Sequence, residues 1–148
     1  MEAAELLVRQ AMTPHVEVVF AESTLREAAE LMRAVDAGSL PVVDAQSEVV
    51  GMVTDRDIVV RGLALGLSGD SQVSEVMTAR VYAIPEDETL REAVKRMRRH
   101  EVRRLVVLDE RGRLVGVLSL GDLAEVLPDR GMGALLGDLS EPAASVVT

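Results

Sequence analysis

The stretch VVGMVTDRD at residues 49–57 sets the fold, because LVGVLSLGD at residues 114–122 repeats its pattern. Both stretches are an apolar run that contains a glycine, followed by a hydroxyl residue and, three positions later, an aspartate. The same offset of 65 positions aligns residues 12–58 with residues 77–123 without a gap, and 16 of the 47 aligned positions are identical. Chance would give only a few identities, so the chain contains a duplicated unit.

Each copy predicts the same order of elements. Thr24 with Glu27, and Thr89 with Glu92, have the spacing of a capping box, and apolar residues follow each pair at helical intervals. Two short apolar runs separated by a polar turn come next and predict neighbouring strands, and a second helix is expected after the last strand. The predicted fold is therefore α+β, with two β-α-β-β-α repeats. The strands are expected at 16–20, 40–43 and 49–53, and again at 81–84, 105–108 and 114–118.

The small size of each repeat implies that the copies fold together. A unit of about 60 residues buries only about 60% of its unfolded surface and is marginal alone. We therefore expect the two repeats to pack about a pseudo-twofold axis, with matched clefts where they meet. The expected divisions are a first repeat at 8–64, a linker at 65–72, a second repeat at 73–127 and a C-terminal tail at 128–148 with a short helix at 134–139.

The composition argues against several classes of function. The net charge is −9 and Phe20 and Tyr82 are the only aromatic residues, which argues against a nucleic-acid-binding surface. The absence of cysteine excludes thiol catalysis and a disulfide scaffold. Neither His15 nor His100 lies in a metal-binding motif, so we expect no metal site. Since no catalytic motif and no apolar run of membrane-spanning length is present, we expect a non-catalytic cytoplasmic protein.

Further motifs accompany the two quoted stretches in a fixed order. They are Met12-Thr13, Leu40-Pro41-Val42-Val43-Asp44 and Arg103-Arg104-Leu105-Val106-Val107-Leu108-Asp109. Over roughly residues 8–127, this duplicated set resembles a tandem pair of CBS domains, called a Bateman module, of the short stand-alone bacterial type. The resemblance implies an adenosine-type ligand such as AMP, ADP or ATP, no required cofactor, a homodimer, and a regulatory output on a protein partner in trans.

The resemblance also implies two composite ligand sites. In each, the hydroxyl residue and the aspartate after the last strand would contact the ribose, and the opposite copy would supply the walls. Arg103 and Arg104 have no cationic counterpart at the matching positions, Gly38 and Ser39. We therefore expect the site that contains the two arginines, site A, to bind phosphate better than the other, site B. Site A would join Met52, Thr54 and Asp57 to Val81, Tyr82, Val102, Arg103 and Arg104. Site B would join Val117, Ser119 and Asp122 to Thr13, Val16, Val18, Gly38 and Ser39.

Other interpretations of the same residues stay open at this point. The two hydroxyl–aspartate pairs are also ordinary helix caps, and the two roles are compatible. The seven basic residues among 91–104 fit a solvated helix face, a phosphate funnel or a docking patch for an acidic partner. Tyr82 is expected to pack either on a base or only against the protein. The alternative function is a ligand-free interaction or stress-response module that acts in trans through a homodimer.

Overall fold

The chain forms two compact units, each with helices and a sheet. The computed structural model describes residues 3–127, and the predicted tail at 128–148, with its helix at 134–139, lies outside them. The central unit is Val16–Val81, and the terminal unit combines 3–15 with 82–127. Helices and strands occur together in both units, which confirms the α+β class.

The three strands of each repeat are arranged in the same order, and the terminal unit has one additional strand. The strands of the central unit are β2 Val19–Phe20, β3 Ser39–Val43 and β4 Val49–Thr54. Those of the terminal unit are β1 Thr13–Pro14, β5 Ala83–Pro85, β6 Arg104–Leu108 and β7 Leu114–Ser119. In the central unit the order is β2-β3-β4, with β2 parallel and β4 antiparallel to β3. In the terminal unit it is β1-β7-β6-β5, and β5, β6 and β7 repeat that pattern of directions. The α-helices are α1 Leu25–Val35, α2 Leu90–His100 and α3 Leu120–Val126.

Helices α1 and α2 begin where the capping pattern predicts. Thr24 Oγ1 accepts a hydrogen bond from the Glu27 amide at 3.1 Å, and Glu27 Oε1 accepts one from the Thr24 amide at 2.8 Å. Thr89 Oγ1 likewise accepts from the Glu92 amide at 3.1 Å. The Glu92 carboxylate instead accepts from Arg96 Nε at 3.0 Å, so the reciprocal box is complete only in the first copy.

Each unit has its own apolar core, to which the duplicated helices contribute matching residues. Met32 and Met97, which occupy matching positions of α1 and α2, are 6% and 0% exposed and fill the two cores. The central core contains Val19, Leu25, Ala28, Met32, Leu40, Val42, Val53, Val73 and Val76. The terminal core contains Val8, Ile84, Leu90, Ala93, Val94, Met97, Leu105, Val107, Leu118, Leu123 and Leu127.

Each unit is completed by a segment from the start of the other sequence repeat. Strand β1 pairs antiparallel with β7, so that Thr13 lies opposite Val117. In the central unit, Met52 and Thr78 exchange two backbone hydrogen bonds of 2.9 and 2.8 Å. The sequence analysis grouped each Met-Thr segment with the repeat that follows it and did not predict this exchange. The compact units are therefore offset from the sequence repeats.

The segment after β4 is wound differently from its counterpart after β7. A helix follows Thr54 as expected, but it is π-helical over Asp57–Gly62 and continues as a 3₁₀ turn at Leu63–Leu65. The Leu63 amide donates to the carbonyls of Ile58 and Val59, five and four residues earlier. After β7 the equivalent residues form the ordinary helix α3. Because π-helical turns are rare and frequently lie at functional sites, this difference indicates a candidate functional site in the first copy.

Candidate functional site

Thr54 and Asp57 form a reciprocal cap at the end of β4. The Thr54 amide donates to Asp57 Oδ2 at 2.9 Å, and the Asp57 amide donates to Thr54 Oγ1 at 3.0 Å. The second carboxylate oxygen, Oδ1, takes no part in the cap and has Arg61 Nε at 3.9 Å. The side chain of Asp57 is 13% exposed. The capping interpretation is therefore correct, and it leaves one oxygen of the carboxylate able to accept another donor.

Ser119 and Asp122 repeat this geometry at the end of β7. The Ser119 amide donates to Asp122 Oδ2 at 2.9 Å, and the Asp122 amide donates to Ser119 Oγ at 3.1 Å. Asp122 Oδ1 again lies outside the cap, and its neighbour is the Thr13 hydroxyl, which donates to it at 3.5 Å. That distance is at the limit of a hydrogen bond, so this oxygen can also accept a stronger donor.

The neighbouring strand places further candidate residues beside each cap. Ser39 lies opposite Thr54 in the β3–β4 register, and the Asp55 amide donates to the carbonyl of Gly38 at 2.9 Å. In the terminal unit, Arg104 lies opposite Ser119, and the Leu120 amide donates to the carbonyl of Arg103 at 3.1 Å. Within one unit, then, the strand neighbours of each cap are residues that the sequence assigned to the other site.

The candidate residues divide equally between the two units. Each unit holds one complete cap pair and half of the predicted wall residues, and the completion of either site by the opposite unit stays a prediction. The central unit holds Val16, Val18, Gly38, Ser39, Met52, Thr54, Asp57 and Val81. The terminal unit holds Thr13, Tyr82, Val102, Arg103, Arg104, Val117, Ser119 and Asp122.

Tyr82 stacks on a histidine of the same unit. Its ring centroid lies 3.8 Å from that of His100, and the two ring planes are within 8° of parallel. The Tyr82 carbonyl accepts from the Val106 amide at 3.0 Å, which fixes the backbone next to β6. One face of the tyrosine ring therefore packs against the protein, which agrees with the second of the two sequence-based interpretations, packing against the protein rather than on a base. The sequence did not indicate the stacking partner, because the two residues are far apart along the chain.

The basic stretch 91–104 is partly neutralised by ion pairs. Arg96 pairs with Glu92, and its hydrogen bond lowers the pKa of that carboxyl. Arg91 Nε lies 3.3 Å from Glu5 Oε1. Arg103 and Arg104 are exposed, and within residues 3–127 their side chains make no hydrogen bond or ion pair. These two arginines are therefore available to an anionic ligand or partner, whereas part of α2 is a solvated, paired face.

A separate depression of about 370 Å³ lies in the terminal unit and includes none of the predicted site residues. It carries both signs of charge, and Arg113 Nε pairs with Asp109 Oδ2 at 3.0 Å across its rim. The sequence analysis did not predict it, since most of its residues come from the turns that follow β5 and β6. Its lining residues are Arg9, Pro85, Glu86, Asp87, Asp109, Glu110, Arg111 and Arg113.

Over residues 3–127, no three histidine or acidic side chains come together in a way that could hold a metal ion. In the same residues, none of the helices combines the length and the apolar character needed to cross a membrane.

Comparison with known proteins assigns the family. The family model of the CBS domain matches residues 8–63 and again residues 73–129. The chain is 38% identical over 134 residues to the CBS domain-containing protein YhcV of Bacillus subtilis, covering 90% of this chain and 94% of that protein. It is 34% identical over 137 residues to Hypoxic response protein 1 of Mycobacterium tuberculosis, covering 92% of this chain and 95% of that protein.

Solved structures agree with this assignment. The crystal structure of Hypoxic Response Protein I with two coordinated zinc ions superposes with a TM-score of 0.70 at 36% identity, covering 83% of this chain and all of that one. The crystal structure of CBSX2 in complex with AMP superposes with a TM-score of 0.64 at 27% identity, covering 80% of this chain and 93% of that one. This chain belongs to the CBS-domain family and carries two CBS domains in tandem.

Proposed function

We propose that this chain is a non-catalytic regulatory module that binds an adenosine-type nucleotide beside Asp57 and beside Asp122. The observation that carries the proposal is that the Oδ1 oxygen of each cap carboxylate lies outside the cap and has only a long contact, of 3.9 Å to Arg61 Nε for Asp57 and of 3.5 Å to the Thr13 hydroxyl for Asp122. The cap holds the carboxylate in place through Oδ2, which leaves Oδ1 to accept a hydrogen bond from a ribose hydroxyl group. Hydrogen bonds to an ionised carboxylate are roughly twice as strong as neutral ones, so this contact favours a ligand that presents a hydroxyl group to Oδ1, as a ribose does.

The family membership supports an adenosine ligand rather than another ribose compound. One relative, CBSX2, has a crystal structure in complex with AMP. The exposed guanidinium groups of Arg103 and Arg104 provide donors that suit a phosphate. The sequence-based expectation that they serve the Thr54–Asp57 site across the repeats is part of this proposal. Binding would then change the activity of a separate partner protein, because a ligand shifts a conformational equilibrium by its differential affinity for the two states.

A thermal-shift series tests this proposal. The melting temperature is followed with increasing AMP, ADP, ATP, NAD and S-adenosylmethionine, and a specific ligand stabilises the protein by about 2.7 kcal/mol at one hundred times its Kd. Asp57→Asn and Asp122→Asn each keep a side-chain oxygen for the cap but remove the charge. We expect each to lose part of the AMP-dependent shift.

Glu27→Gln is the matched control for these two variants. Glu27 forms the same reciprocal cap with Thr24 on α1 and is outside the candidate site. It should therefore lower the melting temperature of the free protein without reducing the shift that AMP produces. A shift that is equally small in all three variants would mean that the caps only stabilise helices.

A ligand-free stress-response module is the second candidate function. It is favoured by the similarity to Hypoxic response protein 1, whose name refers to a stress response. In this case the chain would act as a homodimer on a partner in the cytoplasm without a bound nucleotide. The absence of a shift with all five compounds would support this alternative and contradict the nucleotide proposal.

A further inference from the structure

The two cap carboxylates have different neighbours at the oxygen that lies outside the cap. Asp57 Oδ1 has a cation, the Nε of Arg61, at 3.9 Å. Asp122 Oδ1 has a neutral hydroxyl, that of Thr13, at 3.5 Å. The offset of 65 positions pairs Arg61 with Val126, so the second copy has no cation at this position. The difference is therefore encoded in the duplicated sequence.

The contact between Arg61 and Asp57 is loose enough to be exchanged for another. At 3.9 Å the two atoms attract each other but are beyond hydrogen-bond distance. Both residues lie in the π-helical segment Asp57–Gly62. Its turn is wider than that of an α-helix, so two side chains four residues apart do not have the spacing they would have in an α-helix. The Arg61 side chain is 49% exposed, so its guanidinium group can turn without leaving water.

We propose that Arg61 determines the charge preference of the ligand site at Asp57, because it selects adenosine ligands that carry a phosphate. This inference rests on the proposed function. When a ribose hydroxyl donates to Asp57 Oδ1, the guanidinium group loses part of its interaction with that oxygen. A phosphate on the same ligand offers it a replacement with higher charge and two or three acceptor oxygens, whereas a neutral nucleoside offers none.

Titration calorimetry with adenosine, AMP and ATP tests Arg61 directly. The parent protein is Asp122→Asn, in which a neutral amide replaces the second carboxylate and the first carboxylate is intact. We expect Arg61→Gln to weaken AMP binding about tenfold, which is 1.4 kcal/mol, and to change adenosine binding less than about twofold. Arg61→Lys should recover part of the loss for AMP, because it keeps the charge but not the planar fork.

Arg33→Gln is the control for the loss of one positive charge. Arg33 is exposed on α1 in the same unit, and its side chain makes no hydrogen bond or ion pair with a described residue. It should leave both affinities within about twofold of the parent. Equal weakening of AMP and adenosine by Arg61→Gln, or an equal effect of Arg33→Gln, would overturn the assignment. A parent protein that binds neither ligand would instead refute the nucleotide proposal, and this inference with it.

Discussion

Substitution of Gly116 by alanine should destabilise the terminal unit, because β1 lies directly against this glycine. A Cβ atom built at Gly116 would lie 2.7 Å from the carbonyl oxygen of Thr13 and 2.7 Å from the Sδ of Met12. Ordinary contact begins near 3.4 Å, so the strand would have to move by about 0.7 Å. The methionine can rotate away, but the carbonyl belongs to the backbone that pairs with β7.

The size of this effect follows from the cost of overpacking. Forcing an extra methyl group into a packed site costs about 1–3 kcal/mol. For a chain of 148 residues, a loss of about 2 kcal/mol lowers the melting temperature by about 5 °C. Circular dichroism during thermal and urea unfolding measures both quantities. Gly51→Ala should behave similarly, since its Cβ would lie 2.8 Å from the carbonyl oxygen of Thr78.

Gly121→Ala is the control that separates crowding from a general effect of alanine. A Cβ atom at this position meets only Ser119 Oγ, at 3.5 Å, and the residue lies in α3. Alanine is favoured over glycine in a helix by about 0.5–1 kcal/mol, so this variant should be as stable as the original protein or more so. A Gly116→Ala protein that is as stable as Gly121→Ala would refute the close approach of β1 to β7.

Three further predictions concern the cores, the caps and acid stability. Met97→Ala should lower the free energy of unfolding, measured by urea denaturation, by about 2–5 kcal/mol, because Met97 is 0% exposed. A loss below about 1 kcal/mol would contradict its place in the core. Thr24→Ala should cost about 1 kcal/mol in the same assay, since the Glu27 amide loses its acceptor, and an unchanged midpoint would mean that this cap contributes nothing. Hydrogen bonds from the backbone amide of Arg113, and to a smaller extent from that of Arg111, lower the pKa of Asp109 in the folded protein. The ionised Asp109 carboxylate therefore stabilises the fold above the ordinary aspartate pKa of about 3.9, and this contribution is lost as the pH falls through the lower pKa of the folded state. Unfolding midpoints measured down the acid range should therefore fall less steeply for Asp109→Asn than for the original protein, and parallel curves would argue against that role.

The elements of the fold were predictable because their signals are local. Thr24 with Glu27 and the apolar spacing that follows are enough to place the start of α1, and the hydrophobic runs place β3, β4, β6 and β7. The pairing of β1 with β7 was not predictable in this way. Thr13-Pro14 is too short to show a period, and its partner Val117 comes from the other end of the chain. The π-helical winding of Asp57–Gly62 has no signal in the apolar pattern either.

The candidate site was predictable in its residues but not in its detailed contacts. The spacing of a hydroxyl residue and an aspartate three positions later predicts a reciprocal cap, and the structure has it in both copies. The loose ion pair between Arg61 and Asp57 depends on side-chain direction in a π-helical turn, which the sequence pattern does not determine. The stacking of Tyr82 on His100 likewise depends on how α2 packs beside β5, and no local pattern encodes that.

A crystal structure of this chain grown with AMP tests the central claim most directly. The account predicts that a ribose hydroxyl oxygen lies within about 3.0 Å of Asp57 Oδ1 or Asp122 Oδ1, while the caps to Thr54 and Ser119 stay formed. Nucleotide bound elsewhere, with both Oδ1 oxygens contacting only protein and water, would contradict it.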